Sequence, residues 1–381
     1  MITVCLGLVL VGLAISWPMT WLLVRAGHQL GVVDEPEDRA AGGRKWHARA
    51  VPNLGGVAIF WGVMLPVLLG LAAAWAVPPQ DWTGPAAALV DHLPGVRRQT
   101  PLILAVVLAA GVLHVLGLVD DRKRLGPLLK LIVQLAVAGV LVGAFGLRVF
   151  ELLDTYFGAA GAIASGILTV LWIVVITNAM NMLDNMDGLS AGVGAIIAAL
   201  YLAANLLGGQ WFVAAMAALL LGALIGFLAF NFPPASIFMG DGGSLVLGLL
   251  LAIISIRTTY VGVPTPDAVV GPSRAYGVLM PLVVMAIPLY DFVSVVIIRT
   301  LTGKSPFVGD RNHFSHRLVR KGLTEKRAVI VIWLCTLATG LGGVMLGRLE
   351  AWQAALVAGQ CAAVLAVLAL MERGGNTDEH G

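Results

Sequence analysis

Asn181, Asp184 and Asp187 stand three residues apart in the stretch NAMNMLDNMDGLS (178–190), directly after an uncharged apolar run, AIASGILTVLWIVVIT. A three-residue step on a helix falls about 60° short of a full turn, so neighbours in this series share a face. All of them, with Asn178, share one face only if the helix tightens or unwinds near 181, and Gly188 offers an exit there. Asp120 and Asp121 are adjacent at the end of a second apolar run, VVLAAGVLHVLGLV. Two like charges one peptide apart attract a hard divalent cation such as Mg2+, or raise one pKa and make a general base. The bland alternative for both clusters is a solvated helix end, with Arg122, Lys123 and Arg124 beside the acidic pair.

Three further places carry chemistry. In MGDGGS (239–244) the glycines let backbone approach a ligand, and Ser244 is placed to cap the helix that follows. The N-terminus of that helix would form a phosphate cradle, with Asp241 beside it suited to a metal that bridges phosphate oxygens. The spacing is neither a P-loop nor a dinucleotide fingerprint. His313 and His316 lie in a loop rich in Arg and Lys, without Cys nearby, which favours phosphate contact or positioning over a zinc site. Asp291 sits about two turns inside an apolar run and needs a partner, for which Lys130 or a histidine is available. His114 is alone among apolar residues and reads as hydrogen-bonded structure.

The elements that must hold these groups are set by composition. Of 381 residues, 59% are hydrophobic and 12% charged, about half the charge of a soluble domain. Mean hydropathy is +0.92. Apolar runs long enough to cross about 30 Å of hydrocarbon recur near 2–24, 54–77, 101–119, 128–146, 159–179, 190–207, 211–230, 245–262, 277–298, 329–346 and 352–371. The fold class expected is therefore all-α, a polytopic integral membrane bundle of about eleven transmembrane helices. The first run is too long for a cleaved signal peptide and is read as retained. Residues 1–371 are expected to form a single transmembrane catalytic domain, 372–381 a polar cytoplasmic tail, and 78–100 an external loop. Of the 24 Lys and Arg, eighteen fall on one side of this topology and six on the other, which places the crowded side in the cytoplasm. The positives are dispersed topology markers, so no nucleic acid is expected as a partner. Cys5, Cys335 and Cys361 lie inside apolar runs and suggest neither disulfides nor thiolate metal sites.

Every concentrated polar cluster falls on that cytoplasmic side: 44–56, 120–130, 181–188, 239–244 and 309–318. In their order along the chain, these clusters resemble the motifs of the polyprenyl-phosphate N-acetylhexosamine-1-phosphate transferases, a family that includes the MurNAc-pentapeptide transferase of peptidoglycan synthesis. The resemblance runs from about residue 30 to 320. VDEPEDRAAGGRKWHARAVPNLGG is similar to the signature of the branch using UDP-N-acetylglucosamine, on Asp34, Pro36, Arg44, Lys45, His47, Pro52, Gly55 and Gly56, with AAGG as an insertion before Arg44. DDRKRLGPLLK matches at Asp120, Asp121, Leu125 and Lys130. NMLDNMDGL matches at Asn181, Asp184, Asp187 and Gly188, with Asn185 in place of the usual first glycine. FMGDGGS matches at Asp241. DRNHFSHRL resembles a His-x-His-His signature whose middle histidine is replaced by Ser315, so His313 and His316 carry over.

The resemblance implies that a lipid phosphate, usually undecaprenyl phosphate, attacks the β-phosphate of a UDP-sugar and releases UMP, as the first membrane step of an envelope polysaccharide such as lipopolysaccharide or teichoic acid. It implies Mg2+, with Mn2+ as the second candidate, held by Asp241 with Asp121 and Asp184. Asp120, Asp121, Asp184, Asp187, His313 and His316 are the catalytic candidates. Lys45, His47, Lys130, Asn181, Gly240, Ser244 and Arg311 are the substrate-binding candidates. The site is expected on the cytoplasmic face of the inner membrane, and a homodimer is a candidate assembly. The alternatives are the MurNAc-pentapeptide transferase activity, a secondary transporter, and a non-catalytic relative suggested by Asn185 and Ser315.

Overall fold

The computed structural model describes residues 1–30, 33–34, 50–123, 125–149, 152–258, 275–303 and 313–373. In hydrocarbon every backbone N–H and C=O must be satisfied within the chain, which an apolar run achieves by forming a helix. The helices are α1 (Ile2–Leu30), α2 (Gly55–Ala76), α3 (Leu93–Lys123), α4 (Pro127–Phe145), α5 (Leu152–Leu183), α6 (Leu189–Leu207) and α7 (Trp211–Asn231). They continue with α8 (Asp241–Arg257), α9 (Met280–Val284), α10 (Ala286–Leu301), α11 (Phe314–Arg320), α12 (Glu325–Met345) and α13 (Ala351–Arg373). A two-residue antiparallel ladder joins β1 (Val33–Asp34) to β2 (Val51–Pro52).

The molecule is an all-α polytopic membrane protein. Among the described residues nine helices are long and apolar enough to span, and a pair bent by 64°, Gly277–Val284 with Ala286–Leu301, brings the number to ten if it is counted as one span. This differs from the expected eleven at 245–262. That run falls on α8, which has 17 residues, about 25 Å of helix, and residues 259–274 lie outside the described ones. The expected loop at 78–100 is also corrected. Short helical turns occupy Pro79–Asp81 and Gly84–His92, and α3 begins at Leu93. Arg97 explains the longer helix, because its Nε donates to the Ala74 carbonyl (2.8 Å), one of the orphan groups that end α2.

The core lies around α6, α7 and α8. In α8 every residue from Gly242 to Ser255 is buried, whereas in α13 Leu368 alone is buried among the residues whose burial is described. Leu10, Leu108, Leu128, Ile163, Trp352 and Leu370 form part of an exposed apolar surface that in a bilayer faces lipid. Within the bundle, Ser16 of α1 donates to the Ala223 carbonyl of α7 (2.7 Å), the kind of small-residue contact that lets membrane helices pack closely.

Candidate active site

The C-terminal ends of α3 and α5 meet the N-terminal ends of α4 and α8. Asp241 is the first residue of α8, after Gly240 at φ 69°. Only glycine fits there: the conformation is left-handed, and a Cβ would run into Asn53 and Asp121 side-chain oxygens. One face of α3 grips this turn, at the three- and four-residue spacing that aligns side chains on a helix. Nδ1 of His114 donates to the Gly242 carbonyl (2.7 Å), which puts the proton on that nitrogen. Gly117 lies against the Asp241–Gly242 peptide so closely that a Cβ would overlap it. The Asp121 carboxylate accepts from the backbone N–H of Asp241 (3.0 Å) and of Gly242 (3.3 Å).

This arrangement corrects two expectations. The start of α8 is not an open phosphate cradle, because Asp121 takes the first two N–H groups and Gly240 O takes those of Gly243 and Ser244. A carboxylate supplied by the chain itself complements the helix dipole and leaves no free donors for phosphate. Ser244 does not cap the helix either. It is fully buried in the first turn, donates to Gly240 O (3.0 Å) and accepts from Asn181 Nδ2 (2.9 Å).

Lys130, in the first turn of α4, is the centre of the charged cluster. Its Nζ donates to Asp120 Oδ2 and to Asp241 Oδ2, both at 2.8 Å. Asn181 Nδ2 donates to the other Asp241 oxygen (2.8 Å). Among the described residues Asp120 Oδ1 is buried without a hydrogen-bond partner. The polar series at the end of α5 does split by face, as its spacing requires. Asn178 turns toward Gln134 of α4, Asn181 turns toward α8, and the helix ends at Leu183 with Gly188 at φ 71°. Asp184 lies in the following turn. Burial, followed by the charges of Asp241, Asp121 and Asp187, pushes its carboxyl well above the ordinary range. Asp187 Oδ2 accepts from the Ala235 N–H (2.8 Å). Asn231 accepts from Gly188 N (2.9 Å) and donates to Ile237 O (2.8 Å). Together they brace this turn against the segment that leads to Gly240.

The histidine segment is anchored by Asp291 of α10, which is fully buried. His313 Nδ1 donates to Asp291 Oδ2 (2.8 Å) and the Phe314 N–H to Oδ1 (3.1 Å). The partner of Asp291 is thus a histidine, and Lys130 is committed elsewhere. The His316 ring lies 6.4 Å from that of His313. Ser315 Oγ reaches Asn185 Oδ1 (2.6 Å), which joins α11 to the turn carrying Asp184.

Lys45, His47 and Arg311 lie outside the described residues. The segment that follows the first two does reach the site. Pro52 O accepts from Phe238 N, Gly55 N donates to Phe238 O and Gly56 N to Met239 O, at 2.8 to 2.9 Å. Sequence reasoning missed Asn53, Gly117 and Asn231, none of which carries a local signal.

The oxygen donors Asp120, Asp121, Asp184 and Asp241 are chemically suited to a hard divalent ion, and the buried Asp120 Oδ1, without a partner among the described residues, calls for a cation or donor. Among the described residues no three His, Cys, Asp or Glu side chains are grouped as a ready metal site. The Lys130 ammonium supplies the positive charge between Asp120 and Asp241.

Fold and site together define an integral-membrane helical protein with a charged cluster where the ends of its helices meet. Residues 103–259 match the family described as Glycosyl transferase family 4. The chain is 31% identical over 339 residues to the probable undecaprenyl-phosphate N-acetylglucosaminyl 1-phosphate transferase of Bacillus subtilis (strain 168), spanning 88% of this chain and 82% of that protein. It is 33% identical over 377 residues to the decaprenyl-phosphate N-acetylglucosaminephosphotransferase of Mycolicibacterium smegmatis (strain ATCC 700084 / mc(2)155), spanning 93% and 85%. It is 26% identical over 328 residues to the undecaprenyl-phosphate alpha-N-acetylglucosaminyl 1-phosphate transferase of Escherichia coli (strain K12), spanning 84% and 78%. The chain belongs to glycosyl transferase family 4.

Proposed function

We propose that this protein transfers N-acetylglucosamine 1-phosphate from UDP-N-acetylglucosamine to a polyprenyl phosphate, with undecaprenyl phosphate as the leading acceptor. An oxygen of the lipid phosphate attacks the β-phosphorus of the UDP-sugar. The bond between that phosphorus and the oxygen bridging to the α-phosphate breaks, and UMP leaves with the bridging oxygen. The observation that carries the proposal is the cluster of Asp120, Lys130, Asn181 and Asp241 at the helix ends of an apolar bundle. A lipid acceptor and a water-soluble nucleotide can meet only at such a boundary. The proteins similar to this chain, by their names, support the same donor sugar and acceptor class.

In this reading Asp241, with Asp121 and Asp184, would hold Mg2+, which offsets the repulsion between two anionic substrates and the charge that develops on the leaving phosphate. Lys130 contributes a fixed positive charge to the same region. Asn181 orients Asp241 through its amide. Asp120, with an oxygen left without a hydrogen bond, is the base or orienting group for the acceptor phosphate. His313, whose Nδ1–H is held by Asp291, keeps its Nε2 as an acceptor for a hydroxyl or other proton donor of the substrates. The site would face the cytoplasm, where nucleotide sugars are made. A transporter would need its polar groups near mid-bundle, and the acidic cluster here lies at helix termini.

The test is UMP release by the purified protein with undecaprenyl phosphate, Mg2+ and a panel of UDP-N-acetylhexosamines that includes UDP-MurNAc-pentapeptide. UDP-N-acetylglucosamine should be the preferred donor, and chelation should abolish turnover. Absence of UMP with every donor refutes the proposal.

A further inference from the structure

Beside the AAGG insertion before Arg44, the chain departs from the motifs it resembles by two substitutions, Asn185 and Ser315, and these touch. Separated by 130 residues, they are joined by the 2.6 Å hydrogen bond from Ser315 Oγ to Asn185 Oδ1. The amide is held in the orientation this needs, because its Nδ2 donates to the Met182 carbonyl (2.8 Å). Ser315 is fully buried, so its hydroxyl has a strong requirement for an acceptor.

The element this bond positions is α11, seven residues long and far too short to be helical without tertiary support. Asp291 and Ser294, both on α10, anchor it through His313, the Phe314 N–H and Arg317. The Ser315 bond differs in kind, since it references α11 to the turn that carries Asp184. Neither departure works alone. Glycine at 185 would strand a buried hydroxyl, and histidine at 315 would be forced against the Asn185 amide. Exchanged together, they nearly conserve side-chain volume, the substitution that packed interiors tolerate best.

We infer that Asn185 and Ser315 are a coupled positioning pair, replacing the glycine and histidine of the related motifs as a unit, and that the pair sets where His313 and His316 stand relative to the acidic turn. Its effect on turnover rests on the proposed function. The contact itself does not.

A double-mutant cycle in the full-length protein tests this, with Asn185→Gly, Ser315→His and both together. Two readouts are taken: the unfolding midpoint in detergent, and kcat and KM for UMP release. Each single variant should lose about tenfold or more in kcat with little change in KM for the nucleotide sugar. The double variant should recover to within about threefold of wild type, a coupling characteristic of residues in contact. Should Ser315→His fail to fold, Ser315→Ala removes only the hydroxyl and should still lower kcat, while Ser315→Thr retains activity. Additive losses in both readouts overturn the pair, as does Ser315→Ala at wild-type kcat. A coupled midpoint with additive kcat losses overturns the positioning role. Wild-type protein that releases no UMP counts against the proposed function instead, and the midpoint cycle still decides whether 185 and 315 form a unit.

Discussion

The acidic and histidine sides of the site are held by opposite means. On the acidic side α3 touches the backbone of α8 at three successive points: His114 on a carbonyl, Gly117 against a peptide plane, and Asp121 on two N–H groups. Asp241 is therefore located by helix packing, and its side chain is then tied at both oxygens by Lys130 and Asn181. On the histidine side one carboxylate, Asp291, serves both His313 and the start of α11, and a serine hydroxyl reaches the opposing turn. The first arrangement resists loss of any one hydrogen bond but not intrusion of an atom. The second accommodates changes of side chain, provided that they come in pairs. Such a division suits a site whose acidic centre is fixed while its histidine segment can be adjusted.

The largest effect should follow from Asp241 itself. Asp241→Asn keeps the shape and the contact to Asn181 but removes the charge facing Lys130. UMP release should fall about 1,000-fold, the scale seen when a group that stabilises developing charge is removed. The unfolding midpoint should change little. Near wild-type turnover would remove Asp241 from the chemistry and with it the acidic side of the comparison.

Next in size is a substitution far from any charge. Gly117→Ala forces a methyl group into the Asp241–Gly242 peptide, and a displacement of that carboxylate on the order of 1 Å can cost about 100-fold. Gly111, two turns earlier on α3, meets nothing nearer than Phe60 at 4.0 Å. Gly111→Ala is the matched control, and its kcat should stay within about threefold of wild type by the same packing logic. Equal effects at both positions would mean that α3 does not locate Asp241 by close approach.

That contrast also shows where the sequence was legible. Polar groups interrupting apolar runs are conspicuous because charge is costly in hydrocarbon, so Asp120, Asp121, Asn181, Asp184 and Asp241 stood out, and the structure draws Asp120, Asp121, Lys130, Asn181 and Asp241 to one end of the bundle. The helices were legible for the same reason, with their ends blurred where Arg97 extends α3 by bonding to α2. Gly117 was not legible, since in an apolar helix it looks the same as Gly111. Nor was the occupation of the α8 N-terminus. Ser244 has the right residue type and spacing for a cap, yet a carboxylate from 120 residues earlier competes for the same N–H groups and wins. Local spacing carries no information about such a competitor.

On the histidine side, Asp291→Ala should act at intermediate size. It leaves His313 Nδ1 and the Phe314 N–H buried without their acceptor, at about 1–3 kcal/mol, and frees the imidazole to change tautomer. kcat should fall about 10- to 30-fold, because the imidazole is no longer held in place. Wild-type kcat would show that the Asp291 anchor does not position His313 for the reaction.

The smallest effect separates a buried histidine that builds the site from one that works in it. His114 stacks on Phe60 with ring centroids 4.5 Å apart and donates to the carbonyl of Gly242, the residue that follows Asp241. His114→Gln can retain the donor while losing the stack, whereas His114→Ala loses both. Because Gly117 and Asp121 continue to locate the start of α8, His114→Ala should cost only about 1–3 kcal/mol of stability and less than about fivefold in kcat, and His114→Gln less than that. A loss in kcat approaching that of Asp241→Asn would move His114 from the framework into the chemistry. It would also mean that side-chain bonds, not helix packing, locate the acidic side, as they do the histidine side, and the distinction between the two would disappear.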